Sequence, residues 1–444
     1  MPPPAVLARR LGLPDVTLIV MGGIIGSGIF VNPSVVAERT GSSTGAITAW
    51  LLGGAIALAG AFVYAELGAR RPLAGGQYAY LREAFHPALG FVYAWGLLLL
   101  IQTGGMAASA MTFARYLREL AHVPLPEGLL AGGVLLLLTA INALGVRTGA
   151  ATQNALMLAK VAAILAVIVA GFVFAGPHTA PVVVSGARPV AGLGAAMVPV
   201  LFAYGGWQTA AFIGGEVREP ARTLPRGMVL GVIGVVLLYV GVNLACLRVL
   251  GAAGLAASQA PAADVMRLAF GDTGARVLAL GVAASTLGFL SQSMLTAPRV
   301  YWAMAADGLF FRSIARVSAR THAPVAAIAL QGAAAVVMAL TGEYGGILDT
   351  VVAADWIFFG LSAAALFVLR GRDERSGAPA PKLWSGHPWT TLAFLAASAW
   401  IVVQALGHDP KNGLVGSALL LAGVPVYALW RRWGTRRPES PPAA

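Results

Sequence analysis

Charged residues and cysteines are both scarce in this sequence. Asp, Glu, Lys and Arg make up 11% of the 444 residues, against about 25% in typical soluble domains. Hydrophobic residues make up 58%, and the mean hydropathy is +0.77, which excludes an ordinary soluble domain and indicates an integral membrane protein. The single cysteine, Cys246, excludes an internal disulfide bond and a metal site built from cysteines.

Apolar stretches long enough to cross the roughly 30 Å hydrocarbon core of a bilayer recur along the whole chain. They predict an all-α membrane protein with about twelve spanning helices. The predicted spans are centred near Ile25, Ala57, Leu99, Leu136, Ala166, Ala203, Leu237, Leu287, Val336, Gly360, Ala397 and Leu420. The basic N-terminus runs into the first span without a small-residue cleavage site, so we expect no cleaved signal peptide.

The basic residues indicate how the chain is oriented in the membrane. The formal net charge is +12. With both termini in the cytoplasm, about 21 Lys and Arg residues fall in cytoplasmic segments and about 8 in external ones. The positive charge is therefore a topology signal, which predicts a multi-pass protein of the cell (inner) membrane and argues against nucleic acid as a partner.

The order of the spans predicts two halves of five helices each. An odd number of crossings per half forces the second half to be inverted relative to the first. The predicted organisation is a cytoplasmic N-terminus (1–12), a first repeat with helices one to five (13–175), an inverted second repeat with helices six to ten (190–370), two accessory helices (389–432) and a disordered cytoplasmic tail (433–444).

Two of these spans are interrupted, and each opens its half. Gly26-Ser27-Gly28 lies inside the apolar run from Leu13 to Val36, where glycine disfavours helix by roughly 1 kcal/mol per residue relative to alanine. Phe202-Ala203-Tyr204-Gly205-Gly206-Trp207 interrupts the stretch from Gly192 to Ile213 in the same way. Paired breaks predict a transporter's binding site at mid-membrane, whereas glycines that serve helix packing need no such pairing.

A broken helix exposes N–H groups on one side of the gap and C=O groups on the other, and a zwitterion can bind both. The N–H groups of Ser27, Gly28 and Ile29 are expected to hold a carboxylate at the positive end of a half-helix. Carbonyl groups are expected to hold an ammonium group. The predicted substrate-binding residues are Ile24, Ile25, Gly26, Ser27, Gly28, Ile29, Phe202, Ala203 and Gly205. This geometry suits an α-amino acid.

Two charged residues fall inside apolar spans, where a charge is costly and is a functional candidate. Lys160 is one of three lysines, and its ammonium group can stand where other transporters bind a cation; the alternative is snorkelling to the cytoplasmic edge. Asp355 is the most deeply placed carboxylate, and it can carry a proton or pair with a buried donor. Glu66 and Glu216 lie near arginines at predicted cytoplasmic helix ends, which indicates salt bridges.

Phe202 and Trp207 flank the second break, and we expect them to act as a gate over the substrate, although interhelical packing also explains Trp207. The six histidines lie in loops or at helix ends without metal-binding spacing. Neither a metal ion nor a cofactor is therefore predicted. A membrane-embedded enzyme that uses Asp355, Glu66 or Glu216 as acid and base is the alternative from another class, while a channel would need a continuous polar stripe.

Several strings together resemble the amino acid, polyamine and organocation superfamily, and most of all bacterial relatives of its L-type amino acid transporters. They are Gly26-Ser27-Gly28-Ile29-Phe30, Phe202-Ala203-Tyr204-Gly205-Gly206-Trp207, Tyr64-Ala65-Glu66-Leu67 with the loop to Tyr78, and the segment from Glu216 to Arg226. Gly215-Glu216 departs from the family pattern, because many relatives carry two consecutive acids there.

The resemblance implies a five-plus-five inverted repeat of the LeuT type, alternating access, Phe202 at the gate and Lys160 in the region where sodium-driven relatives hold an ion. Animal L-type members often pair with a glycoprotein through a disulfide, but no cysteine lies in the matching external loop after helix three, so no disulfide-linked subunit is expected. We predict sodium-independent transport of neutral L-amino acids by exchange or with protons, by a monomer or homodimer in the lipid bilayer. The alternative within this class is a proton-coupled permease for polyamines or cationic amino acids.

Overall fold

The computed structural model describes residues 9–121, 124–174, 176, 189–341, 347–377, 381, 386–408 and 410–434. These residues form helices and two isolated β-bridges, as the all-α prediction requires. The α-helices of the described chain are α1 (Leu13–Ile24), α2 (Gly28–Thr40), α3 (Ser43–Arg70), α4 (Gln77–Ala84), α5 (Pro87–Gly96), α6 (Gln102–Ala121), α7 (Glu127–Ala143), α8 (Val146–Val169), α9 (Pro189–Tyr204), α10 (Pro220–Ala257), α11 (Pro261–Thr296), α12 (Pro298–Ala306), α13 (Val325–Thr341), α14 (Ile347–Ser376), α15 (Trp389–His408) and α16 (Pro410–Gly434).

The described helices confirm a multi-pass membrane protein. Eight segments are long and apolar enough to cross a bilayer, and α1 with α2 forms a ninth span bent by 47°. The helices α7 and α13 are apolar but 17 residues long, and α9 is cut short by a break. Counting these three gives the predicted twelve crossings, and both that number and the inverted repeat stay predictions.

Local sequence signals explain where the helices begin and how one of them widens. Proline occupies the first turn of α5, α10 and α11, where its missing N–H has no helical partner to lose. Between α5 and α6, residues 97–101 wind as a π-helix, a feature often found at functional sites. Thr103 Oγ1 donates to the Leu98 carbonyl there and accepts from Gln331 Nε2 at 2.9 Å.

The two broken helices lie at the centre of the bundle. The first half-helix α1 packs against α8 and α10, and α2 packs against α9 and α10. In contrast, α15 and α16 pack on the outside, against α14, α3 and α5. This places the predicted accessory helices at the edge. Helix α16 continues through Gly434, two residues into the predicted tail, and residues 435–444 and 1–8 lie outside the described part of the chain.

Candidate functional site

The first predicted break is present at the predicted residues. Helix α1 ends at Ile24 and α2 begins at Gly28, and Ile25 is extended with φ −74° and ψ 101°. Ser27 precedes α2 without a side-chain capping hydrogen bond. Within the described residues, the N–H groups of Ser27, Gly28 and Ile29 have no acceptor. The start of a helix carries partial positive charge, and free N–H groups in this position are the arrangement that binds anions in proteins, so an anion site here stays a prediction.

The second break is also present, and it touches the first. Helix α9 ends at Tyr204, Gly206 follows with φ +110°, and residues Trp207–Phe212 continue as a 3-10 helix. Only glycine adopts that conformation readily. A Cβ atom at Gly206 would also collide with the carbonyl oxygen of Gly23. The two gaps therefore lie against each other, as the sequence predicts.

Lys160 holds the end of α1. Its side chain is fully buried, and Nζ donates hydrogen bonds to the carbonyl oxygens of Gly22, at 3.0 Å, and Ile25. A Cβ atom at Gly288 of α11 would clash with Lys160 Cε, so the glycine makes room for the lysine. Snorkelling to the membrane edge is thereby excluded. The ammonium group instead neutralises the negative end of a half-helix.

Two residues that the sequence does not predict donate hydrogen bonds to other carbonyl groups at the breaks. The Tyr239 hydroxyl oxygen of α10 lies 3.2 Å from the Ile24 carbonyl oxygen and 3.1 Å from that of Ala203, so it bridges the two breaks. Ser285 of α11 donates to the Gly26 carbonyl at 3.0 Å. Several of the carbonyl groups expected to bind a substrate ammonium group thus already accept hydrogen bonds from side chains of this chain.

A cavity of about 300 Å³ lies at the two breaks, a volume at the lower end for small-molecule sites. Most predicted substrate-binding residues line it, namely Ile24, Gly26, Ser27, Gly28, Phe202, Ala203 and Gly205. Ile25 and Ile29 do not line it, because their side chains are buried in the hydrophobic core. Lys160 contacts the first break, at the end of α1, and does not line the cavity either.

The cavity wall also includes residues on other helices, of which the sequence predicts Asp355 as a functional candidate. They are Leu97, Ile101, Gln102, Gly104, Gly105, Ala108, Ser109 and Thr112 around the π-helix and α6, Phe289 and Gln292 on α11, and Val351, Val352, Asp355, Trp356 and Phe359 on α14. A Cβ atom at Gly105 would lie 3.8 Å from Phe289 Cζ, an ordinary contact. Gly105 therefore leaves room inside the cavity rather than holding two helices at close approach.

The two aromatic residues predicted as a gate have different surroundings. Phe202 lines the cavity and is 37% exposed. Trp207 is 1% exposed and packs against Tyr64 and Phe359, with ring centroids 4.9 and 5.3 Å apart. Trp207 does not line the cavity, so its contacts are those of interhelical packing.

Asp355 lines the cavity, and its Oδ1 is buried without a hydrogen-bond partner among the described residues. Pairing with a buried protein donor, one of the two roles expected for it, therefore has no contact to support it. A role as a proton site stays a prediction. The described residues contain no group of three or more His, Cys, Asp or Glu side chains that can hold a metal ion.

Contacts at the start of α1 join it to the segment around Glu216. The N–H groups of Arg10 and Leu11 donate to the Glu216 carbonyl at 2.8 and 3.0 Å, and Arg218 N–H donates to Leu11. The Glu216 carboxylate pairs with Arg299 at 2.7 Å, both side chains being buried. The salt bridge expected for Glu216 is present, but its partner comes from α12 rather than from the neighbouring arginine.

The second predicted salt bridge joins α3 to α14. Glu66 Oε1 lies 2.8 Å from Arg70 and 2.5 Å from Arg370. Asp373 on α14 pairs in turn with Arg70 at 2.6 Å and Arg71 at 2.7 Å. These ion pairs fix the end of α3 to the end of α14.

This fold and site define a class of protein, a multi-span helical membrane protein with a cavity at two facing helix breaks. The model of the amino acid permease family matches residues 11–429. The chain belongs to this family, as the resemblance of its motifs predicts.

Curated relatives match the chain over nearly its whole length. The chain is 30% identical over 430 residues to the serine/threonine exchanger SteT of Bacillus subtilis (strain 168), and this alignment covers 95% of the chain and 96% of SteT. It is 31% identical over 445 residues to the large neutral amino acids transporter small subunit 2 of Rattus norvegicus, covering 96% and 81%. The b(0,+)-type amino acid transporter 1 of Mus musculus is 29% identical over 377 residues, covering 82% and 76%.

Proposed function

We propose that this protein is a sodium-independent exchanger of L-α-amino acids that works by alternating access. One observation carries the proposal, namely that two helix breaks in contact with each other line one small cavity, and that N–H groups of the first break have no acceptor among the described residues. The named relatives are amino acid exchangers and transporters, which supports the same activity here.

The substrate carboxylate would bind the free N–H groups at the start of α2, where charge-assisted hydrogen bonds are strong. The substrate ammonium group would bind carbonyl oxygens at the gaps. Each carbonyl oxygen has two acceptor positions, so those of Ile24 and Ala203 can accept from a substrate as well as from Tyr239. The apolar part of the cavity wall can pack against the aliphatic part of a substrate side chain.

Lys160 supports sodium independence. Its ammonium group supplies a fixed positive charge to the carbonyl groups at the end of α1, so that a bound sodium ion is not needed to neutralise them. The contacts of Leu11 and Glu216 close the side that we assign to the cytoplasm. Alternating access requires these contacts to separate while the contacts around the opposite opening form.

We further propose that the protein lies in the cell membrane with both termini in the cytoplasm and works as a monomer or homodimer without a disulfide-linked subunit. Catalysis is not part of the proposed activity. The membrane-embedded enzyme remains the alternative from another class, and analysis of the released compound by mass spectrometry separates the two.

The activity is tested with purified full-length protein in proteoliposomes loaded with an unlabelled amino acid. Labelled amino acid should enter in sodium-free buffer, with saturation, and faster than into empty vesicles. Its methyl ester and its decarboxylated amine should not compete, because each lacks the carboxylate. Strict dependence on sodium would contradict the coupling, competition by the amine would favour a polyamine permease, and chemically altered product would favour an enzyme.

A further inference from the structure

We infer that Asp355 recognises a cationic group at the end of the substrate's side chain, so that amino acids with basic side chains are the preferred substrates. This inference rests on the proposed function, because it assumes that the two breaks hold the α-carboxylate and α-ammonium groups. It names a substrate class that differs from the neutral side chains expected from the sequence.

Charge in the cavity is the first observation. Among the described residues that line it, Asp355 is the one with a charged side chain. The other polar lining side chains, such as Gln102, Ser109 and Thr112, are neutral. A cavity with low-dielectric walls and one carboxylate attracts cations and repels anions.

The missing partner of Asp355 is the second observation. The buried carboxylates of the described chain, Glu66, Glu216 and Asp373, are paired with arginine in ion pairs shorter than 3 Å. Asp355 Oδ1 is buried without a hydrogen bond, and no described ion pair includes Asp355. A buried carboxylate oxygen without a donor is costly, and a ligand cation would supply the donor.

The position of Asp355 is the third observation. Lys160, the lysine of the site, is engaged with carbonyl groups of α1 and does not line the cavity, so it is not the counter-ion. Asp355 lies on α14, a different helix from the two breaks, beside the lining residues Val352, Trp356 and Phe359. This wall can hold an apolar methylene stem with a charge at its tip, and its aromatic rings also attract cations.

The test compares lysine with norleucine, which has the same carbon chain without the side-chain ammonium group. Binding is measured by calorimetry on the purified full-length protein and on Asp355→Asn, which keeps the shape and removes the charge. The native protein should bind lysine about 10- to 100-fold more tightly than norleucine, as expected for a hydrogen bond to a charged group. Asp355→Asn should bring lysine to the level of norleucine and leave norleucine within about threefold of its native value.

Four outcomes would overturn the inference. If norleucine binds the native protein as tightly as lysine does, the inference fails without recourse to any variant. Equal loss of both ligands in Asp355→Asn would place the carboxylate at the α-ammonium group or in the fold. Retained lysine preference with a changed pH dependence of uptake would make Asp355 a proton carrier. If no amino acid binds the native protein, the proposed function itself fails.

Discussion

Tyr239→Phe removes the one hydroxyl that bridges the two helix breaks. Its oxygen lies 3.2 Å from the Ile24 carbonyl oxygen and 3.1 Å from that of Ala203, and the described chain offers these carbonyl groups no other donor. The substitution keeps the ring and removes a single oxygen atom, a loss of volume that the control below shares. Any effect therefore reports the hydrogen bond.

The structure sets the size of the effect. One hydroxyl proton can satisfy one carbonyl group at a time, so one hydrogen bond is lost. A buried acceptor left without a donor costs about 1–3 kcal/mol, and hydrogen bonds between membrane helices average about 0.6 and reach about 1.7 kcal/mol. We expect a loss of about 1–2 kcal/mol. With an unfolding entropy of about 2.1 cal/mol/K per residue, this lowers the melting temperature of a 444-residue chain by about 1–2 °C.

The assay is scanning fluorimetry of the purified protein, and Tyr204→Phe is the matched control. Tyr204 is buried beside Tyr239, with ring centroids 5.1 Å apart, but its hydroxyl has no hydrogen-bond partner among the described residues. Its removal should leave the melting temperature unchanged or raise it. Equal destabilisation by both substitutions, or none by Tyr239→Phe, would refute the proposed bridge.

Two further substitutions test the same site. Lys160→Met removes the donor of two carbonyl groups at the end of α1, and amino acid exchange in proteoliposomes should fall at least about tenfold; a native rate would remove the role of Lys160. Gly206→Ala should destabilise the protein by more than the roughly 1–2 kcal/mol that a left-handed backbone conformation costs a residue with a Cβ atom. The backbone φ is +110°, and the new Cβ atom would also clash with Gly23. Gly26→Ala, which meets no atom within 4 Å, is its control, and equal melting temperatures would contradict the contact between the breaks.

The sequence predicts the breaks and the class of fold because both depend on local composition. Glycines inside a long apolar run weaken its helix whatever the run packs against. One such run at the start of each half further predicts that the two breaks lie in contact. Most lining residues at the gaps follow directly, since Gly26, Ser27 and Phe202 belong to the broken segments themselves. Lys160 stands out for the same kind of reason, as a charge inside an apolar span.

The partners of the breaks cannot be read from such local patterns. Lys160 meets Ile25 across 135 positions of sequence, and Tyr239 meets Ile24 across 215. A tyrosine in an apolar span gives no sign that its hydroxyl faces a carbonyl group. Arg299 likewise gives no sign of pairing with Glu216. These contacts arise from how α8, α10 and α12 pack around the broken helices, and this packing requires the tertiary structure.

The affinity of Ser27→Pro for an amino acid tests most directly whether free main-chain N–H groups hold the substrate. Proline suits the native φ of −77°, and the N–H group that it removes has no acceptor in the described protein, so the melting temperature without ligand should stay within about 1 °C. Losing one hydrogen bond to a carboxylate should weaken binding about 10- to 150-fold, while Ser27→Ala, which keeps the N–H group, should bind within about threefold of the native protein. Native affinity in Ser27→Pro, or an equal loss in Ser27→Ala, would contradict the account.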